Sequence, residues 1–183
     1  MVYSGSEGKC YTYDHFYWFD EDGNEIVAPQ NVNGDFNCYE CTSLTSLEGA
    51  PYEVGGNFNC IGCTSLTSLE GAPEKVSESF ICSKCTSLTS LEGAPKEIGR
   101  NFDCSYCTSL TSLEGVPKEI GGGFYCRSCT SLTSLEGAPE KVSGDFDCYG
   151  CTSLIYLGDT ILKIGRNFYC QSCTSLTSLE GAP

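Results

Sequence analysis

The stretch Ile98-Gly-Arg-Asn-Phe102-Asp-Cys104-Ser-Tyr-Cys107-Thr-Ser-Leu110-Thr-Ser-Leu113-Glu-Gly-Val-Pro117-Lys-Glu119 decides the fold, because the chain repeats it. A Cys-x-x-Cys pair begins at Cys38, Cys60, Cys82, Cys104, Cys126, Cys148 and Cys170, always 22 positions apart. A fixed period with fixed apolar slots is the signature of a solenoid, in which each unit stacks on its neighbours. Ala28-Pro29-Gln-Asn-Val32 supplies the front of the first unit. The sixth unit degenerates to Leu154-Ile-Tyr-Leu157-Gly-Asp-Thr-Ile-Leu-Lys-Ile164 without changing length, so the array covers residues 28–183 with no linker.

Inside a unit, Phe102-Asp-Cys104 alternates inward, outward, inward, as a short parallel strand does. Cys107-Thr-Ser-Leu110-Thr-Ser-Leu113 places an apolar residue at every third position. That period predicts a tight extended or 3₁₀-like path and not an α-helix, whose apolar face returns every three to four residues. Glu-Gly-Ala-Pro makes the next corner, since proline fixes φ and glycine permits positive φ. The expected fold is mainly β: a right-handed β-solenoid, a leucine-rich-repeat-like stack of about seven 22-residue coils with short parallel strands and little helix. At ~4.8 Å per stacked strand, seven coils make a rod about 30 Å long.

Composition narrows the function. With 24 acidic against 10 basic side chains the formal charge is -14. This argues against nucleic acid, whose phosphates select clustered Lys and Arg, and against anionic lipid. No apolar run approaches the roughly 18 residues of a membrane span, so no membrane insertion is expected. MVYSGSEGKCYTYD carries neither a basic nor an apolar leader region, and no signal peptide is read there. If Met1 is the native start, a cytoplasmic or virion-like setting follows; if the chain is processed, the cell surface or exterior. His15 is the one histidine, and it lies among aromatics, where packing is the expected role. No nucleophile, base and orienter appear together, so no enzyme, no catalytic residue and no cofactor is expected.

The unit Cys-Thr-Ser-Leu-Thr-Ser-Leu-x-x-x-Pro-x-x-Ile-Gly-x-x-Phe-x-Cys-x-x-Cys resembles the leucine-rich repeats of the BspA-like, or treponemal, class over residues 28–183. The chain departs from that class in having 22 residues per unit instead of one more, and an added cysteine two residues after Phe. The resemblance implies a surface or recognition protein without catalysis. It also puts the second cysteine of each pair where such repeats carry a ladder-forming Asn or Cys.

Cys38, Cys41, Cys60 and Cys63 match a four-thiolate zinc spacing. The repeat offers another explanation: seven pairs leave one over, and Phe and Leu slots surround every pair. Buried, reduced thiols acting as small apolar spacers are favoured over disulfides and over a thiolate metal array, and no metal is assigned.

Repetition turns each slot into a row. Glu48, Glu70, Glu92, Glu114, Glu136 and Glu180 form a carboxylate row broken at Gly158, read as a solvated ladder with weak divalent-cation binding as the functional alternative. Glu74-Lys75, Lys96-Glu97, Lys118-Glu119 and Glu140-Lys141 partly alternate in sign and can form surface pairs. The threonines from Thr42 to Thr174 form a hydroxyl row, for which ice binding is the minor alternative to backbone capping. The outward strand positions vary most, and Tyr39, Tyr106, Tyr125, Arg127, Tyr149 and Tyr169 mark a binding face.

The ends differ in kind. Residues 1–27 read as an aromatic β-hairpin cap or assembly segment, with an Asp22-Gly23 turn. At the other end the last coil presents Phe168, Cys170, Cys173, Leu176 and Leu179 without a cap, and an open apolar edge is a template for pairing. The expected partner is a second copy of the chain, head to tail through Tyr11, Tyr13, Phe16, Trp18 and Phe19, in an assembly that does not close and so propagates as a filament. The alternative partner is a protein ligand on the variable strand face.

Overall fold

The computed structural model describes residues 3–5, 8–158 and 163–183. The described chain is a parallel β-solenoid without helix, closed at its N-terminal end by a separate antiparallel sheet. Each coil carries two two-residue strands. The Phe-x strands stack in register as one seven-stranded parallel sheet, from Phe36–Asn37 to Phe168–Tyr169. Seven rungs make six steps of 22 residues.

The stacking places like over like. Six Phe rings are fully buried, and successive rings from Phe36 to Phe168 lie 5.1–5.6 Å apart. On this face each rung donates three amides to the next, at 2.7–3.0 Å, as Phe102, Cys104 and Tyr106 do to the carbonyls of Gly123, Tyr125 and Arg127. The opposite face carries the strands from Asn31–Val32 to Lys163–Ile164, whose inward Val or Ile closes the core. There the donors run the other way, from each coil back to the one before.

Three tight turns close each coil. In most coils Cys-x-x-Cys and Leu-Glu-Gly-Ala each bring an amide back to a carbonyl three residues earlier, and so does Cys-Thr-Ser-Leu, as in Leu110 N–H to Cys107 O at 3.0 Å. The period-three stretch is therefore a turn followed by extended chain, which points Leu110 and Leu113 fully into the core. At the Gly corner φ is +83° at Gly71, and a Cβ there would sit 2.5 Å from the amide nitrogen of Glu48 one coil back. Only glycine fits that approach.

The N-terminal sheet has four antiparallel strands: β1 (Tyr3–Gly5), β2 (Gly8–Thr12), β3 (Phe16–Phe19) and β4 (Glu25–Ile26). The hairpin through Asp22-Gly23 is its second half, with Gly23 at φ +84°.

Candidate functional site

The cysteines form two interior columns. The second thiol of each pair, from Cys63 to Cys173, donates to the carbonyl of the first cysteine one coil earlier, at 3.1–3.2 Å in all six instances. A thiol is a weak donor, yet six stacked ones satisfy a carbonyl row along the axis. All fifteen thiols are free in the structure. Burial pushes the Cys38, Cys82 and Cys104 thiols well above their ordinary range. Burial also raises Cys10, on the inward face of the N-terminal sheet, to about 12. These protonated thiols pack as small apolar groups in the core.

The cap imitates a coil. Phe16 N–H donates to Glu48 O at 3.1 Å, as Leu47 N–H does to Glu70 O one step along. Thr45 N–H donates to Asp14 O, as Thr89 does to Thr67 O. Trp18 Nε1 donates to Gly49 O at 2.8 Å, and Phe16 and Trp18 lie against Phe36. This corrects one expectation: Phe16 and Trp18 are 3% and 1% exposed, covered by the chain's own first coil, and offer nothing to a second molecule. Strand alternation explains the split. The pairings Cys10 with Trp18 and Thr12 with Phe16 face inward, while Lys9 with Phe19 and Tyr11 with Tyr17 face outward. Tyr11 and Phe19 pack edge to face, and together with Lys9, Tyr13 and Asp20 they line a shallow outer groove of about 340 Å³. Tyr13 is 70% exposed. His15 stacks 4.3 Å from Tyr17, with Nδ1 3.1 Å from the Asp14 carboxylate.

At the far end the same slots are bare. Leu179 is 63% exposed, Phe168, Cys170 and Leu176 are half-buried, and Cys173 stays buried through its bond to Cys148. Among the described residues no carbonyl accepts the amides of Phe168, Cys170 and Ser172. Lys163 and Arg166 stand beside this end, bordering a groove of about 760 Å³ with Phe168 and Pro183.

The six residues of the strand face are not one site. Tyr125 and Tyr169 lie two rungs apart in one column; Tyr39, Arg127 and Tyr149 occupy the next, and Tyr106 a third. The structure gathers Arg127 over the Tyr125 ring at 5.5 Å and against Asp147 at 2.6 Å, with Tyr149 N–H on the other Asp147 oxygen. Tyr39 stands four rungs from Tyr125, outside that cluster. Asp147, only 3% exposed, is the hub that sequence reasoning does not single out. A second unforeseen row is the slot before Phe: Asp35, Asn57, Ser79 and Asn101 each accept the same-slot amide one coil on. Small polar residues at that slot in every unit but the fifth, where it is Gly123, are its signal in the sequence.

The Glu row is exposed from Glu48 to Glu180, and the Thr row from Thr42 lies on the turn after the second cysteine, not on a strand. No protein-family model, no curated protein and no solved structure matches the chain.

Proposed function

We propose that this chain is a non-catalytic structural or interaction repeat, and that its open last coil receives the outer face of the cap of a second copy, head to tail. Solenoid repeats present extended contact surfaces, and the resemblance to BspA-like repeats points the same way. The observation that carries the reading is the contrast between ends, in cover and in charge. Residues 1–27 hold six carboxylates and one lysine, while residues 163–183 hold Lys163 and Arg166 against Glu180. The acidic, aromatic surface of Tyr11, Tyr13 and Phe19 thus complements the basic rim and apolar floor of the last coil, where electrostatics sets orientation and encounter rate.

Sedimentation velocity across a range of concentrations tests it. The account expects mass to rise with concentration, the rise to weaken in salt, and Leu179→Glu or Tyr13→Glu to leave a monomer. A monodisperse monomer of the unaltered chain at high concentration contradicts it. The second reading, ligand recognition on the strand face, rests on the Tyr125–Arg127–Asp147–Tyr149 cluster. It predicts that same monomer, together with a partner whose binding is lost in Arg127→Ala.

A further inference from the structure

The two faces of the solenoid differ in continuity. The Phe face is one seven-stranded sheet, but the opposite face splits into four strands and three, between Glu97–Ile98 and Glu119–Ile120. At the other steps on that face the second coil returns amides to the first, as Lys96 does to Glu74 O at 2.9 Å and Lys141 to Lys118 O at 3.0 Å. Among the described residues Glu119 N–H reaches no carbonyl of the preceding coil, and the next bond, Gly121 N–H to Ile98 O, lengthens to 3.4 Å against 2.8–3.0 Å at the equivalent positions, before Gly122 N–H to Arg100 O rejoins the coils at 2.7 Å. Across the same step the Phe face stays closed: Phe102, Cys104 and Tyr106 keep bonds of 2.7–3.0 Å.

The charges explain the place. Read down the face, the doublets run Glu74-Lys75, Lys96-Glu97, Lys118-Glu119, Glu140-Lys141. Opposite signs meet at the first and third steps, and all four ion pairs form there: Lys96 with Glu74, Lys75 with Glu97, Lys118 with Glu140 and Lys141 with Glu119. At the middle step Lys stands over Lys and Glu over Glu, and every one of those side chains turns away to its outer partner. A single like pair is tolerated, since Lys141 over Lys163 stays in register. The opened step has two like pairs side by side.

We propose that this like-over-like doublet is a built-in hinge: the rod is two blocks joined along the Phe face and by the Gly122–Arg100 bond, and loosened at the Lys-Glu strands between them. A groove of about 800 Å³, lined by Ala94, Pro95, Val116 and Pro117 among others, lies along the opening. The inference does not depend on self-assembly.

The double variant Lys118→Glu/Glu119→Lys tests it at unchanged composition and net charge. The exchange makes the middle step attractive and turns the next one, against Glu140-Lys141, into the like-over-like step. Residue-resolved hydrogen exchange should then show Glu119 and Gly121 amides slowing by about tenfold while Lys141 and Ser143 amides speed up comparably, the scale set by two Coulomb contacts at a surface. Val116→Ala, at the one corner in these coils where Val replaces Ala, is the control. It should leave Glu119 fast. If Val116→Ala closes the step, or the charge exchange moves nothing, the hinge is not electrostatic and the proposal falls.

Discussion

The first coil and the last are the same 22-residue unit in different company. Phe36 and Cys38 are fully buried, with Phe16 and Trp18 of β3 packed against Phe36 and the cap reproducing part of a preceding coil's hydrogen bonds, at Glu48 and Thr45. Phe168 and Cys170, in the same slots, are half-buried. The difference teaches that a coil of this kind is not buried by its own residues: each borrows half its core from a neighbour, so an end needs either a substitute coil or a partner. The N-terminal cap is such a substitute, built from antiparallel strands yet supplying the donor, the acceptor and the apolar plug of a coil.

The largest effect expected from that contrast is alkaline. The Cys38, Cys82 and Cys104 thiols keep their protons in the folded chain, held up chiefly by burial, whereas unfolded cysteine ionises near pH 8.5. The folded state therefore binds more protons above that pH. Its stability is complete below about pH 8.5 and falls as pH rises, by ~1.4 kcal/mol per pH unit for each such thiol. Cys10 extends the window in the cap to about pH 12. Denaturant melts from pH 7 to 11 should show a steep loss; a flat profile would mean the columns are not buried.

Next comes the cap itself. Trp18→Ala removes a ring that is 1% exposed and should cost ~3–5 kcal/mol, while Leu179→Ala, already 63% exposed, should cost well under ~1 kcal/mol. Equal losses in guanidinium unfolding would erase the distinction between the ends. The smallest effect concerns the turn between the paired cysteines. Its third position has φ between +53° and +63° at Glu40, Lys84, Tyr106, Ser128 and Ser172, and +73° where it is Gly62 or Gly150. Lys84→Gly should stabilise by ~0.5–1 kcal/mol, and Gly62→Ala should destabilise by about as much. The shift should be weaker for Ser172→Gly at the open end.

Much of this was legible beforehand, for a physical reason. Stacking makes each slot's environment identical from coil to coil, so Phe102, Cys104, Leu110 and Leu113 declare themselves core by recurrence alone. The cap has no such recurrence. Which of Phe16, Tyr17, Trp18 and Phe19 face inward depends on how β3 docks, and a one-residue change of register exchanges the two sets. The paired strand β1 stayed hidden because Tyr3-Ser4-Gly5 carries too little pattern. The doublets of Lys and Glu were visible as charges, but not that two like pairs side by side would part the backbone. Nor did the row from Asp35 to Asn101 stand out, since its chemistry is kept while its residue types change.

The most direct measurement is the rate at which a maleimide labels each cysteine of the native chain, resolved by peptide mass spectrometry at a concentration too low for association. Cys38 and Cys170 hold one slot in the first and last coils. The account predicts that Cys170 is modified at least tenfold faster than Cys38, with Cys60 to Cys148 as slow as Cys38, because opening of a buried rung must precede attack. Equal rates at Cys38 and Cys170, or fast labelling of the interior columns, would contradict the difference in burial between the first and last described rungs.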